Sequence, residues 1–104
     1  MDVKITARHF ALTDKLRDYA HERLARLEKV FTGITDAHVV LDLDKGRTPP
    51  RRAEIVLNIK RHRLSAHGAD TKHETALDDC VEQLRKQLLK HKAKLRRPVK
   101  AVQR

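Results

Sequence analysis

The sequence predicts an α+β fold with element order β-α-β-β-β-α, and three observations lead to it. Apolar residues alternate with polar ones over four short stretches, which is the period of half-buried strands. Two longer stretches repeat their apolar residues every three or four positions, which is the period of amphipathic helices. Neither helix can bury its apolar stripe alone. Both are therefore expected to pack on one face of a four-stranded sheet whose other face is wet. A chain of 104 residues is the length of one domain, and it can bury one modest core without covalent staples.

The first strand is read from Val3, Ile5 and Ala7, which alternate with Lys4, Thr6 and Arg8. Thr13 is placed to cap a first helix over 14–31, with Asp14 in the turn where the helix dipole favours an acid. Leu16, Tyr19, Ala20, Leu24, Leu27 and Phe31 make its apolar face, and Gly33 is its expected stop. Ala37, Val39, Leu41 and Leu43 form the second strand. The segment 45–51 is a loop, because Pro49 and Pro50 end the strand and remove ladder donors. Ala53, Ile55, Leu57 and Ile59 form the third strand. A basic hairpin region over 60–63 lacks the Asn-Gly signature of the tightest turns. It leads to a weaker fourth strand facing inward through Leu64, Ala66 and Gly68.

Thr71 and Glu74 have the spacing of a capping box. Leu77, Val81, Leu84, Leu88 and Leu95 then mark one face of a long second helix, with Cys80 and His91 at its edge and Pro98 as its stop. The domain is expected to span 1–97, with 98–104 a short, basic, flexible tail.

Composition narrows the function. A single cysteine, Cys80, excludes a disulfide framework and a four-cysteine metal site. No apolar run approaches the ~20 residues of a membrane span, and Met1 to Phe10 lacks the apolar segment of a signal peptide. A cytoplasmic protein with no membrane partner is therefore expected. His9, His21, His38, His62, His67, His73 and His91 are scattered, with no HExxH or CxxC spacing. They read as solvated or phosphate-adjacent groups. Asp78 and Asp79 are neighbours on a helix and so diverge, which makes them no acid/base pair. Gly33, Gly46 and Gly68 are isolated, so no loop cradles phosphate. The expectation is no enzyme, no cofactor, no metal and no small-molecule substrate.

Charge is the strongest signal. The formal net charge is +10, and all 14 acidic residues lie in 1–82 beside 15 Lys and Arg. Residues 83–104 hold nine Lys and Arg and no acid. At about 100° per residue, Lys86, Lys90 and Arg97 fall opposite the apolar face of the second helix, with Lys94 close by. Arg85, Lys92 and Arg96 form a second row nearer the core. A helix shaped only for solubility mixes signs and gains (i, i+4) pairs worth ~0.2–0.5 kcal/mol each. The stretch after Glu82 forgoes them, and an anionic partner, most commonly nucleic acid, compensates the self-repulsion.

Arg23, Arg26 and Lys29 on the first helix extend the surface, as do Lys60, Arg61 and Arg63 at the hairpin and Arg47, Arg51 and Arg52 beside the proline loop. The aromatics are Phe10, Tyr19 and Phe31, and the last two face the core. No exposed stacking platform is expected, so recognition by phosphate geometry and shape is favoured over reading of single-stranded bases.

Leu84-Arg85-Lys86-Gln87-Leu88-Leu89-Lys90-His91-Lys92-Ala93-Lys94-Leu95 resembles the C-terminal helix of the ribosome hibernation promoting factors, within the family of ribosome-associated translation inhibitors and sigma-54 modulation proteins. Val3-Lys4-Ile5-Thr6, Leu12-Thr13-Asp14-Lys15-Leu16-Arg17 and Leu24-Ala25-Arg26-Leu27-Glu28-Lys29 agree in order, so the resemblance covers about 1–96. At the start of the second helix the chain departs from the family: Lys72-His73-Glu74 stand where an Asp-Met-Tyr-like segment is usual. The resemblance implies a fold similar to double-stranded RNA-binding domains. It also implies binding to the small ribosomal subunit and its 16S rRNA in the channel of mRNA and tRNA, and silencing of translation in stress or stationary phase.

Matching basic positions are Arg23, Arg26, Lys86, Lys90, Lys92 and Lys94, to which the exposed row adds Arg97. Arg85, Arg96, Lys29, Arg61 and Arg63 are further candidates. The basic end of the sequence looks like the short family type, which favours paired inactive ribosomes together with ribosome modulation factor. A general double-stranded RNA binder and a sigma-54-modulating interaction protein are the alternatives.

Overall fold

The computed structural model describes residues 1–96, with the side chain of Arg96 outside that description. Arg97 and the expected tail over 98–104 lie outside the described residues. The elements follow the predicted order: β1 (Asp2–Arg8), α1 (Asp14–Val30), β2 (Ile34–Leu43), β3 (Arg51–Ile59), β4 (His62–Asp70) and α2 (His73–Arg96). The sheet runs in sequence order, with β1 parallel to β2 and the other two pairs antiparallel. A parallel neighbour needs a crossover, and α1 supplies it.

The core is one cluster. Leu16, Ala20, Leu24 and Leu27 of α1 meet Ala37, Val39 and Leu41 of β2, Ala53, Ile55, Leu57 and Ile59 of β3, Ala66 of β4, and Leu77, Cys80, Leu84 and Leu88 of α2. Alternate strand residues are buried along β2 and β3, as period-2 patterning requires, and the residues between them stay half-exposed. The outward face is polar and internally bonded: Thr6 reaches His38 at 3.0 Å, and Asn58 donates to Asp36 at 2.6 Å.

Local signals explain most boundaries. Thr13 caps α1 by accepting the Leu16 N–H at 3.1 Å. The α1 stop differs in mechanism from the one expected, because no glycine has a positive φ and the C-cap is Phe31 in an extended conformation. A Cβ at Gly33 would lie 2.7 Å from Phe31 Cε2, so this glycine makes room for a ring. The Thr71–Glu74 capping box does not form. Helix α2 begins at His73, and the Thr71 hydroxyl turns back to the Asp70 carboxylate at 3.2 Å. The departure at 72–74 has a structural role: His73 is buried, stacks on Phe10 at 4.4 Å and bonds the Asp42 carbonyl at 2.8 Å.

Helix α2 lies along β3 and β4 and against α1. It comes close at Gly68, where a Cβ would stand 2.6 Å from the Ala76 carbonyl oxygen. Gln83 and Gln87, one turn apart, donate to the His67 and Ser65 carbonyls of β4 at 2.8 and 3.0 Å. These bonds fix the rotation of the helix about its axis. At 24 residues α2 is about 36 Å long, whereas the nine residues of β4 span about 30 Å. The helix therefore outruns its strand. Leu95, expected on the buried face, is 66% exposed for this reason. Cys80, at the edge of the apolar stripe, is fully buried.

Gly68→Ala should be strongly destabilising, by about 2 kcal/mol or more, because helix backbone must move to admit the methyl group. The urea midpoint should fall accordingly, whereas Gly46→Ala, whose Cβ meets only the Asp44 carboxylate at 3.4 Å, should leave it within about 1 kcal/mol.

Candidate nucleic-acid interface

The predicted basic residues fall into two groups that differ in what holds them. On α2, Lys86, Lys90 and Lys94 are exposed. Lys86 lies 4.0 Å from Glu82, and among the described residues Lys90 and Lys94 have no acidic partner. Successive positions four apart place these ammonium groups on one stripe. Two residues of the inner row, Arg85 and Lys92, are bonded within the protein instead. Arg85 donates to both oxygens of Glu82 at 2.9 and 2.7 Å. That bond holds the Glu82 carboxyl below its usual range and raises Arg85 above its own. Lys92 is half-buried and donates to the Val30 carbonyl at 3.3 Å. It thereby satisfies a carbonyl in the last turn of α1, where the dipole favours a cation.

Helix α1 divides in the same way. Arg26 is exposed, with Glu22 3.7 Å away, and Lys29 is exposed in the last turn. Arg23 is absorbed into a network that sequence reading missed. Its Nη2 donates to the Tyr19 hydroxyl at 2.9 Å, and the guanidinium stands 4.8 Å from the Tyr19 ring centroid. Its Nε is 3.0 Å from Asp78, an ionic contact whose N–H is not aligned for a hydrogen bond. The Tyr19 hydroxyl in turn donates to the Asp78 carboxylate, 2.7 and 2.8 Å from its two oxygens. Burial, and then this bond to Asp78, push the Tyr19 hydroxyl pKa upward. Asp78 and Tyr19 are 59 positions apart, so no local spacing announces them.

The hairpin carries Arg61 and Arg63. Lys60 and Arg61 form a two-residue turn between Ile59 and His62, and Arg61 sits at φ 66°. Arg63 is exposed and donates to Asn58 at 3.1 Å. At the opposite end of the sheet, Arg47 pairs with Asp44 at 3.7 Å and Arg51 bonds the Thr71 carbonyl at 3.0 Å. The loop arginines are thus separated from the exposed α2 row. The hairpin, by contrast, lies beside it, because Ile34 pairs with Ile59 and His62 meets His91. Helix α1 ends here, and Lys29, Lys90, Lys94 and the hairpin cations gather near its negative dipole end.

The geometry favours anion binding over covalent chemistry. Cys80 is fully buried, with Sγ 3.5 Å from the Ala53 carbonyl oxygen, and burial pushes its thiol up to about 12. Among the described residues no cluster of three or more His, Cys, Asp or Glu is placed to hold a metal.

Two measurements test this partition. Tyr19→Phe removes the hydroxyl joining Asp78 to Arg23 and should lower stability by about 1 kcal/mol in urea titration, with an unchanged m value. Cys80 should resist iodoacetamide at pH 8 in the native state and react fully in urea, as read by mass spectrometry. Its raised pKa also has a stability sign. The contribution is complete below the unfolded thiol's pKa near 9.0 and is lost as pH rises toward about 12. Wild type should therefore lose more stability than Cys80→Ala between pH 8 and pH 10.

Comparison with known proteins places this surface among relatives. Residues 3–96 match the family described as Sigma 54 modulation protein / S30EA ribosomal protein. A ribosome hibernation promoting factor of Azotobacter vinelandii is 32% identical over 94 residues, covering 90% of this chain and 85% of the relative. That of Escherichia coli is 33% identical over 96 residues, covering 92% and 98%. The crystal structure of the N-terminal domain of Thermus thermophilus Protein Y superposes with a TM-score of 0.77 at 32% identity, covering 88% of this chain and 99% of that one. A ribosomal subunit interface protein from Coxiella burnetii shares the fold, with a TM-score of 0.80 at 17% identity over 89% and 99% of the two chains. With nearly its whole described length matched in order, this chain belongs to the Sigma 54 modulation protein / S30EA ribosomal protein family.

Proposed function

We propose that this chain is a non-enzymatic ribosome hibernation factor. It acts in the cytoplasm by occupying the mRNA and tRNA channel of the small subunit under stress or in stationary phase. The observation that carries the reading is the exposed row Lys86, Lys90 and Lys94, in which Lys86 has Glu82 at 4.0 Å and Lys90 and Lys94 have no acidic partner among the described residues, on a helix bonded to β4 through Gln83 and Gln87. The names of the relatives point to the ribosome as the polyanion.

Exposed lysines are point charges suited to phosphate, and phosphate contacts fix register without reading sequence. Lys86, Lys90, Lys94 and Arg26 are the primary 16S rRNA contacts on this reading, with Lys29, Arg61 and Arg63 at the hairpin end. Arg97 is assigned to the same row from sequence alone. Arg23 and Lys92 contribute positive potential while holding the helices together, and Arg85 contributes it while paired with Glu82 on its own helix. The folded body excludes tRNA by volume, so no chemical step is required. Favouring paired inactive ribosomes, with ribosome modulation factor as a further partner, belongs to the same proposal through the family resemblance. No described helix is long and apolar enough to cross a membrane.

The test is co-sedimentation with purified small subunits. Wild type should pellet with them at low salt. Its affinity should fall by roughly 10³ to 10⁵ between 50 and 200 mM salt if six to ten phosphates are neutralised. Lys86→Glu with Lys90→Glu should abolish pelleting while the thermal midpoint stays within a few degrees, because both side chains are exposed. Undiminished binding by this variant rejects the assigned face. A nuclease-resistant complex with an acidic protein would instead support the sigma-54-modulating reading.

A further inference from the structure

The hairpin end holds a cleft that the phosphate-binding reading does not use. It encloses about 560 Å³, within the roughly 300–1,000 Å³ of small-molecule sites. Its walls are Phe31 from the end of α1, Lys60, Arg61 and His62 from the β3–β4 turn, and His91 and Leu95 from α2. A second hollow of about 370 Å³ shares His62, His91 and Leu95 and extends to Lys90 and Lys94. No acidic residue lines either one.

The rings are arranged around His91. Its centroid lies 4.7 Å from that of His62 at an interplanar angle of 69°, and 5.5 Å from that of Phe31 at 75°. Leu95 is 66% exposed at the mouth. A single exposed leucine carries no message. Here it stands with three rings on a floor ringed by cations.

We infer that this cleft receives one unpaired nucleotide of a bound RNA, its base against Leu95 and the rings of Phe31, His62 and His91, its phosphate on Lys60, Arg61 and Lys94. The inference rests on the proposed RNA-binding role and deepens it. Three features select this occupant. The flanking charge is uniformly positive, which suits an anion and repels a basic peptide. The apolar and aromatic walls exceed what a bare phosphate needs, and a base supplies the matching π-face. Imidazole edges both donate and accept hydrogen bonds, as base edges do. The exposed row Lys86, Lys90 and Lys94 also leads to the cleft, so a backbone tracking the helix arrives at its mouth.

The experiment uses two RNA hairpins of equal length, one with a single bulged 2-aminopurine and one with 2-aminopurine paired in the stem. Wild type should bind the bulged hairpin more tightly by roughly 5–150-fold, the range for one stacked base, with a change in 2-aminopurine emission. His62→Ala with Leu95→Ala alters exposed side chains. It should erase that preference while leaving paired-hairpin affinity within twofold. Equal binding of the two hairpins, no binding of either, or a preference that survives in the variant overturns the inference. So does a wild-type dimer that Leu95→Ala dissociates, because the cleft then belongs to a second copy. Co-sedimentation separates the two readings. Wild type that pellets with small subunits but shows no bulge preference loses the cleft and keeps the role. A bulge preference without pelleting does the reverse.

Discussion

The close approach of α2 to β4 is the constraint on which the rest of the molecule depends. Gly68 leaves no side chain between strand and helix, Ala66 keeps the next inward position small, and the Ala76 carbonyl occupies the space gained. The same contact lets Gln83 and Gln87 reach strand carbonyls, which covers part of an edge that would otherwise be open to pairing. A helix held at two points one turn apart cannot roll. The direction in which Lys86 and Lys90 point is therefore set by the packing of residues on the other side of the helix.

That rigidity explains how one excess of charge serves two ends. Arg23 is joined to Asp78 and Lys92 to the α1 C-terminus, so their charge helps to assemble the helix pair, while Arg85 is paired with Glu82 within α2. Lys90 and Lys94 lie outside these pairs on the solvent side, and exposed Lys86 touches them only through Glu82, 4.0 Å away. Placing acids in the first turns of α2 and cations in its later ones also follows the helix dipole. Part of the asymmetry is thus favourable before any partner arrives, and the remainder is self-repulsion that a polyanion relieves.

Much of this architecture could be read from residue patterns. The strands of the sheet declared themselves by alternation, as in Ala37-His38-Val39 and Ala53-Glu54-Ile55, where a shift of one residue would have exposed the core face. The Thr13 cap was legible because its partner lies three residues away. The fourth strand was expected to be weaker, yet it runs nine residues paired throughout with β3, and its small inward residues Ala66 and Gly68 are clearance for a helix. The missed features are all long-range. The bonding of Tyr19 to Asp78, the burial of His73 over Phe10, and the convergence of Phe31, His62 and His91 join positions that only the fold brings together. Leu95 misled because periodicity continues along a helix whether or not a sheet remains beneath it.

The overrun of α2 past β4 separates two kinds of inheritance. After Leu88 no described residue of the helix is fully buried, so its final turns contribute little to the cooperativity of the core. Substitutions that unfold the protein must concentrate at positions such as Gly68, Leu84 and Leu88. Substitutions at the exposed positions of the projecting turns, such as Lys90 and Lys94, alter charge spacing, reach and salt sensitivity at nearly constant stability, whereas Lys92 stays tied to the Val30 carbonyl. The body of the domain can stay fixed while its terminal turns are retuned, so lineages can differ in grip on a partner without renegotiating the fold.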